Sequence, residues 1–261
     1  MLRSLWTAAT GMDAQQSRMD IISNNLANVS TTGFKKVRAE FEDLLSDTIR
    51  SVTPPDGRGG SQPAPLQVGL GARLVATTPN LSQGEVTATN NPLDLAIQGQ
   101  GFFQVQRANG ELAYTRAGNF TLDATGRIVT PHGEMLQPGI TIPTTTTAVT
   151  IKADGTVWAT SGTNPNPQEV GSLQLYNFPN PGGLESTGDN LFNETVASGN
   201  PISAKPGEQG TGTLLQGYLE NSNVTAITEM IDMIDCQRAY ELNSKVIQTA
   251  DQMLQKVTTI R

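Results

Sequence analysis

The sequence predicts an α+β protein in which two long terminal helices flank an inserted all-β middle. Three observations predict it. Apolar residues near both ends recur at helical spacing. All 15 prolines lie between Pro54 and Pro206, and 24 of the 26 glycines lie between Gly57 and Gly217. Within that middle, short apolar runs alternate with turn residues, the pattern of short strands.

The first element is read from Met1, Leu5, Ala8, Met12, Gln15, Met19, Ile22 and Leu26, whose spacing alternates four and three. This is a narrow, coiled-coil-like stripe. No proline interrupts it, so a helix of roughly 40 Å is predicted to about Asn28. Ser30-Thr31-Thr32-Gly33 ends it, with Gly33 suited to a left-handed exit. A second amphipathic helical segment is predicted from Lys35 to about Arg50, with Val37, Phe41, Leu44, Leu45 and Ile49 on one side.

Residues 52–66 read as a linker by their Pro and Gly content. Strands then follow. The clearest hairpin joins Gly101–Val105 to Leu112–Thr115 through Asn109-Gly110, a pair that tolerates positive φ. A second joins 120–122 to 127–129 across Asp123–Gly126, and a third joins 149–151 to 157–158 across Asp154-Gly155. Further strands are predicted at 171–178 and 213–219.

The last element is a helix from Ser222 to Thr258, roughly 55 Å long. Val224, Ile227, Ile231, Ile234, Arg238, Leu242, Val246, Ala250, Met253 and Val257 form its stripe, and no Gly or Pro occurs after Tyr218. The mean step, about 3.67 residues, favours nearly straight packing. The two ends are predicted to pair as an antiparallel, coiled-coil-like stem. Leu2, Trp6, Ala9 and Ile21 lie beside the first stripe and Met230, Met233, Cys236, Tyr240 and Ile247 off the second, so further copies are needed to cover both. Three regions result: a terminal helical core of 1–33 and 222–261, a connecting helix or arm with linker at 34–67 and 205–221, and a β-rich outer domain at 68–204.

Composition narrows function. The net charge of −7 without a basic cluster argues against nucleic acid and anionic membranes. The single cysteine, Cys236, permits no disulfide within the subunit and reads as a buried small residue. No apolar run reaches membrane-spanning length. The opening does not read as a cleavable signal peptide, because Asp13 and the glutamines precede any apolar run. The single histidine, His132, sits in a turn tip, and no metal spacing, cofactor fingerprint or catalytic constellation is evident. The chain is predicted to be neither an enzyme nor a cofactor binder.

Several blocks carry a family resemblance. Asn24-Asn25-Leu26-Ala27-Asn28, Thr31–Lys35 and Phe41 open it, followed by Asn91–Ile97, Gly99–Phe103, Tyr114-Thr115-Arg116 and Gly118-Asn119-Phe120. Asn190-Leu191-Phe192, Gly217, Leu219-Glu220, Ser222-Asn223-Val224 and Gln237–Glu241 complete it. Ser23 and Ala117 are small departures. The chain resembles the bacterial flagellar rod and hook proteins over almost its entire length. The opening Ser4-Leu5-Trp6, Thr10-Gly11 and Ala14-Gln15-Gln16 is most similar to distal-rod members.

The resemblance implies a structural subunit that self-assembles into a hollow helical drive shaft, transmits torque from motor to hook, and encloses the export channel. It implies a straight, stiff tube favoured by the segment from Phe41 to Gly60. It implies contacts with proximal rod proteins, the hook protein and the surrounding P- and L-ring proteins. It also implies type III export and a place in the basal body, across the periplasm toward the outer membrane. The competing reading is a secreted, oligomeric β-domain binding module on a helical stem. The predicted subunit-interface residues are Leu5, Met12, Met19, Asn24, Asn25, Asn28, Gly33, Phe34, Phe41, Ile227, Ile231, Ile234, Arg238, Tyr240, Glu241 and Asn243. The asparagines could equally cap the helix end, and Arg238, set in an apolar stripe, calls for a carboxylate from its own or a neighbouring subunit.

Overall fold

The computed structural model describes residues 2–50, 65–162 and 164–259. Met1, most of the predicted linker and the side chain of Val257 lie outside that description. The chain is α+β, with helix α1 at Leu2–Ala27 and helix α2 at Ala226–Thr259. Neither is long and apolar enough to cross a membrane. Two compact units form. One comprises residues up to Leu26, Val37–Thr78 and those from Thr225 on; the other comprises Ala27–Lys36 and Pro79–Val224.

In the first unit, the helix predicted from Lys35 to Arg50 is not formed. Val37–Asp43 is a strand paired with Ala72–Pro79, and Ser46–Arg50 is a strand paired with Leu66–Gly69. Val37 and Phe41 fit a helical face with Leu44, but Val37, Ala39 and Phe41 also alternate by two, and of these three only Val37 and Ala39 are partly covered. So short an apolar pattern fits either period, and a strand partner at 72–79 rich in β-branched residues decides it.

The second unit is built on a seven-stranded antiparallel sheet. Its order is Glu185–Gly188, Leu191–Asn193, Leu112–Thr115, Phe103–Gln106, Met135–Gln137, Ile128–Val129 and Thr121–Leu122. Both faces are covered, and the two-residue alternation of strands sorts the side chains. Phe103, Ala113 and Leu191 face one cluster with Leu95, Ile97, Phe120 and Leu175. Phe102, Tyr114 and Phe192 face the other with Phe178 and Leu184. There Tyr114 and Phe178 meet edge to face at 4.8 Å between ring centroids. A three-stranded sheet of Thr146–Ile151, Thr156–Ser161 and Asn164–Ser172 adds Ile151 and Val157 to the first cluster.

The predicted hairpins are present, but the Asn109-Gly110 turn differs in detail. Only Gly110 takes positive φ (86°). Gly110 N–H donates to Arg107 O and Arg107 N–H to Glu111 O, each at 2.9 Å. This is a type I turn closed by a left-handed glycine, the three-residue loop that matches strand twist. The same bonds recur at Asp123–Gly126, Thr130–Gly133 and Lys152–Gly155, and Pro131 and His132 occupy the two central positions of the Thr130–Gly133 turn.

A buried ionic cluster ties distant segments of this unit together. Glu220 Oε1 accepts from Lys35 Nζ at 2.6 Å and from Gly84 N–H at 2.9 Å, and Glu220 Oε2 accepts from Arg116 Nε at 2.6 Å. Lys35 also donates to Ser82 O at 2.8 Å, and Arg116 to the carbonyls of Ile97, Gly99 and Gly101. Next to it Gly33 (φ 71°) is buried so tightly that a Cβ would lie 2.6 Å from Ala117 N. Left-handed φ and close approach both demand glycine there.

Burial pushes the Glu220 carboxyl up, but Arg116 and Lys35 outweigh it and hold it below its ordinary value of 4.5. A carboxylate depressed in the folded state adds stability that is complete above that value and lost as pH falls through the lower folded one. Glu220→Gln leaves two buried cations without their counter-charge. It is expected to lower stability by roughly 3–5 kcal/mol at neutral pH. Its acid unfolding should also be less steep than that of the wild type in denaturant titrations across the acid range.

Candidate functional site

The surface to be explained is that of the terminal helices in the first unit. Along α1 the predicted stripe is covered: Ala8 and Ile22 are buried, and Leu5, Met12, Gln15, Met19 and Leu26 are partly so. Four contacts run antiparallel between the helices. Asn25 Nδ2 donates to Glu229 Oε2 at 3.3 Å, Arg18 pairs with Asp232 at 3.4 Å, Cys236 Sγ donates to Gln15 O at 3.0 Å, and Gly11 faces Asn243. A Cβ on Gly11 would lie 3.0 Å from Asn243 Nδ2, so glycine in mid-helix serves close approach despite its cost of about 1 kcal/mol in helix propensity.

The contact face of α2 is not its apolar stripe. Glu229, Cys236 and Ala250 are buried and Asn243 is partly buried, a spacing of seven along small and polar residues. The isoleucine stripe lies roughly 200° away, since neighbours two apart on a helix differ by that angle. It is open: Ile227 is 75% exposed, Ile231 55%, Ile234 48% and Leu242 65%. Met230, Tyr240, Val246 and Met253 are exposed as well. An exposed apolar stripe of this kind, interrupted by Arg238, is a candidate interaction site.

Asn25 is the polar anchor of this unit. It is buried, and its amide embraces one residue as a neighbouring strand would. Oδ1 accepts Val37 N–H and Nδ2 donates to Val37 O, both at 2.9 Å. The same Nδ2 meets Glu229, which is fully buried one turn into α2. Burial pushes the Cys236 thiol up, which suits a packed residue and not a nucleophile. Elsewhere in the unit, Gly71 (φ 116°) comes against Thr10, and Arg3 pairs with Asp47 at 2.6 Å. The strands expose Phe41, Ile49, Leu66 and Val75, and Leu45 is exposed between the first two strands.

The predicted interface residues therefore divide. Asn24, Phe41, Ile227, Ile231, Ile234, Arg238, Tyr240 and Glu241 are exposed. Leu5, Met12, Met19, Asn28, Phe34 and Asn243 are half-buried. Asn25 and Gly33 are buried within the subunit. Asn28 turns back on the chain, accepting from Thr31 Oγ1 at 3.1 Å. Arg238 has no ion pair among the described residues. Glu229 and the Lys35–Glu220–Arg116 cluster were not singled out from the sequence. The signal that could have found the cluster is that all three residues fall in the resemblance blocks.

The comparisons place these features. Three family models match: residues 5–35 match the flagella basal body rod protein model, 96–159 the flagellar hook protein FlgE/F/G D1 domain, and 215–260 the flagellar basal body rod FlgEFG protein C-terminal model. The flagellar basal-body rod protein FlgG of Caulobacter vibrioides is 51% identical over 261 residues, covering all of both chains. That of Bacillus subtilis is 39% identical, again over all of both. The flagellar hook protein FlgE of Helicobacter mustelae is 44% identical over 52% of this chain and 30% of its own.

Asn25→Ala would strand the backbone groups of Val37 and one bond of buried Glu229. A loss of roughly 2–3 kcal/mol is expected, measured by urea unfolding followed by far-UV circular dichroism.

Proposed function

The chain belongs to the flagellar basal-body rod protein family and is a structural rod subunit, and from that premise we propose how it builds the distal rod. Copies self-assemble side by side into a hollow helical shaft. The paired terminal helices form a coiled-coil-like stem around a central export channel. The shaft transmits torque from motor to hook across the periplasm. Proximal rod proteins and the hook protein meet its two ends, and the P- and L-rings surround it. Subunits reach it through the flagellar type III apparatus.

One observation carries this reading: the strongest apolar stripe of α2 faces away from its own chain. Burying it requires other copies, at roughly 25 cal/mol for each Å² of apolar surface covered. The same patch cannot serve as both faces of a contact that repeats head to tail, and such contacts generate helical assemblies. The second apolar surface, on the strands bearing Phe41 and Ile49 and on Leu45 between them, supplies a different face for that repeat. Arg238 within the stripe then loses water on assembly and needs a carboxylate of the neighbouring copy.

Replacing Ile231 and Ile234 together by Asp tests the reading. Both side chains are exposed in the single chain, so the variant should keep the wild-type circular dichroism and unfolding midpoint. It should form no tubes by electron microscopy and fail to restore swimming to cells lacking the native subunit. Tubes of normal length from this variant would sink the proposal.

A further inference from the structure

The buried cluster of the β-rich unit is not electrically balanced. Lys35 and Arg116 bring two positive charges and Glu220 one negative, with side chains only 1%, 5% and 1% exposed. Burial pushes the Lys35 ammonium below its ordinary value against the pull of Glu220, and among the described residues the only charges acting on Lys35 and on Glu220 are each other's and that of Arg116. One positive charge is left over in a dry setting, where an uncompensated ion is costly.

A cavity of about 80 Å³ lies against this cluster, lined by Lys35, Arg116, Gln100, Phe102, Asn177 and Pro181 among others. Two of its polar side chains hold a spare donor. Lys35 directs two of its three N–H groups to Glu220 and Ser82, which leaves a third. Asn177 uses its carbonyl oxygen to accept Phe178 N–H at 2.9 Å, which leaves its amide NH2. The volume exceeds what one water molecule requires.

We propose that this cavity binds one small monovalent anion of chloride size, held by the Lys35 ammonium and the Asn177 amide against the Phe102 ring. The anion completes the charge balance of the cluster and stabilises the β-rich unit.

The test uses the full chain. Its unfolding midpoint is measured at constant ionic strength while chloride replaces gluconate, an anion too bulky for the cavity. The midpoint should rise by roughly 3 °C for each tenfold increase in chloride beyond the dissociation constant. Asn177→Asp keeps the acceptor for Phe178 N–H and supplies a fixed negative charge. Its midpoint in gluconate should reach the wild-type value in high chloride and no longer respond to chloride. Asn177→Ala, which removes the amide without adding charge, should shift the wild-type chloride response to at least threefold higher concentration. A wild-type midpoint indifferent to the exchange overturns the proposal, as does a chloride response that both variants retain unchanged.

Discussion

The fold of the first unit depends on which face of α2 is used inside the subunit. Close approach selects it. Gly11 admits Asn243, the small Cys236 side chain reaches the Gln15 carbonyl, and Asn25 meets Glu229. These contacts need short or polar side chains, and isoleucine would hold the helices further apart. The stripe of Ile227, Ile231, Ile234 and Leu242 is thereby turned outward. Among the described residues, a subunit made this way pairs its buried polar side-chain atoms except Gln15 Oε1 and Asn193 Oδ1, and leaves much more of its apolar surface uncovered. That asymmetry suits a part whose function is to join others of its kind.

The second unit solves a different problem. Its strands are short, and the turns that join many of them share one geometry ending in a left-handed glycine. Such strands hold little on their own, and stability comes from covering both faces of one sheet. Glu220 then ties the ends of the unit into that body. Through Lys35, Arg116 and Gly84 it gathers the segment after the first helix, the start of the β region and the chain about to enter α2. An ionic tie of this kind adds specificity of arrangement more than net stability, because desolvation offsets much of the attraction.

Much of this was legible in the sequence. The helices were read from period and from the absence of breakers, and their observed limits, Leu2–Ala27 and Ala226–Thr259, follow that pattern. Three hairpins are legible from Gly, Asp and Asn at turns, but not the shape of the Asn109-Gly110 loop, nor the hairpins that join 128–129 to 135–137 and 185–188 to 191–193. The segment from Val37 to Arg50 was misread because its apolar spacing fits two periods and its strand partners lie elsewhere in the chain. The orientation of α2 was not legible, since a stripe reports which residues are apolar and not which neighbour covers them. The ionic cluster was hidden for a related reason. Positions 35, 116 and 220 share no local pattern, and folding alone brings them together.

The central claim is that the outward stripe of α2 is covered by other copies. Replacing Ile234 with cysteine and following its reaction with a small maleimide tests this most directly, with buried Cys236 as the internal control. The account predicts fast labelling at position 234 in the monomer, at least tenfold slower labelling in assembled tubes, and slow labelling of Cys236 in both. Equal labelling of position 234 in monomer and tube would show that the stripe stays open to water, and would contradict the account.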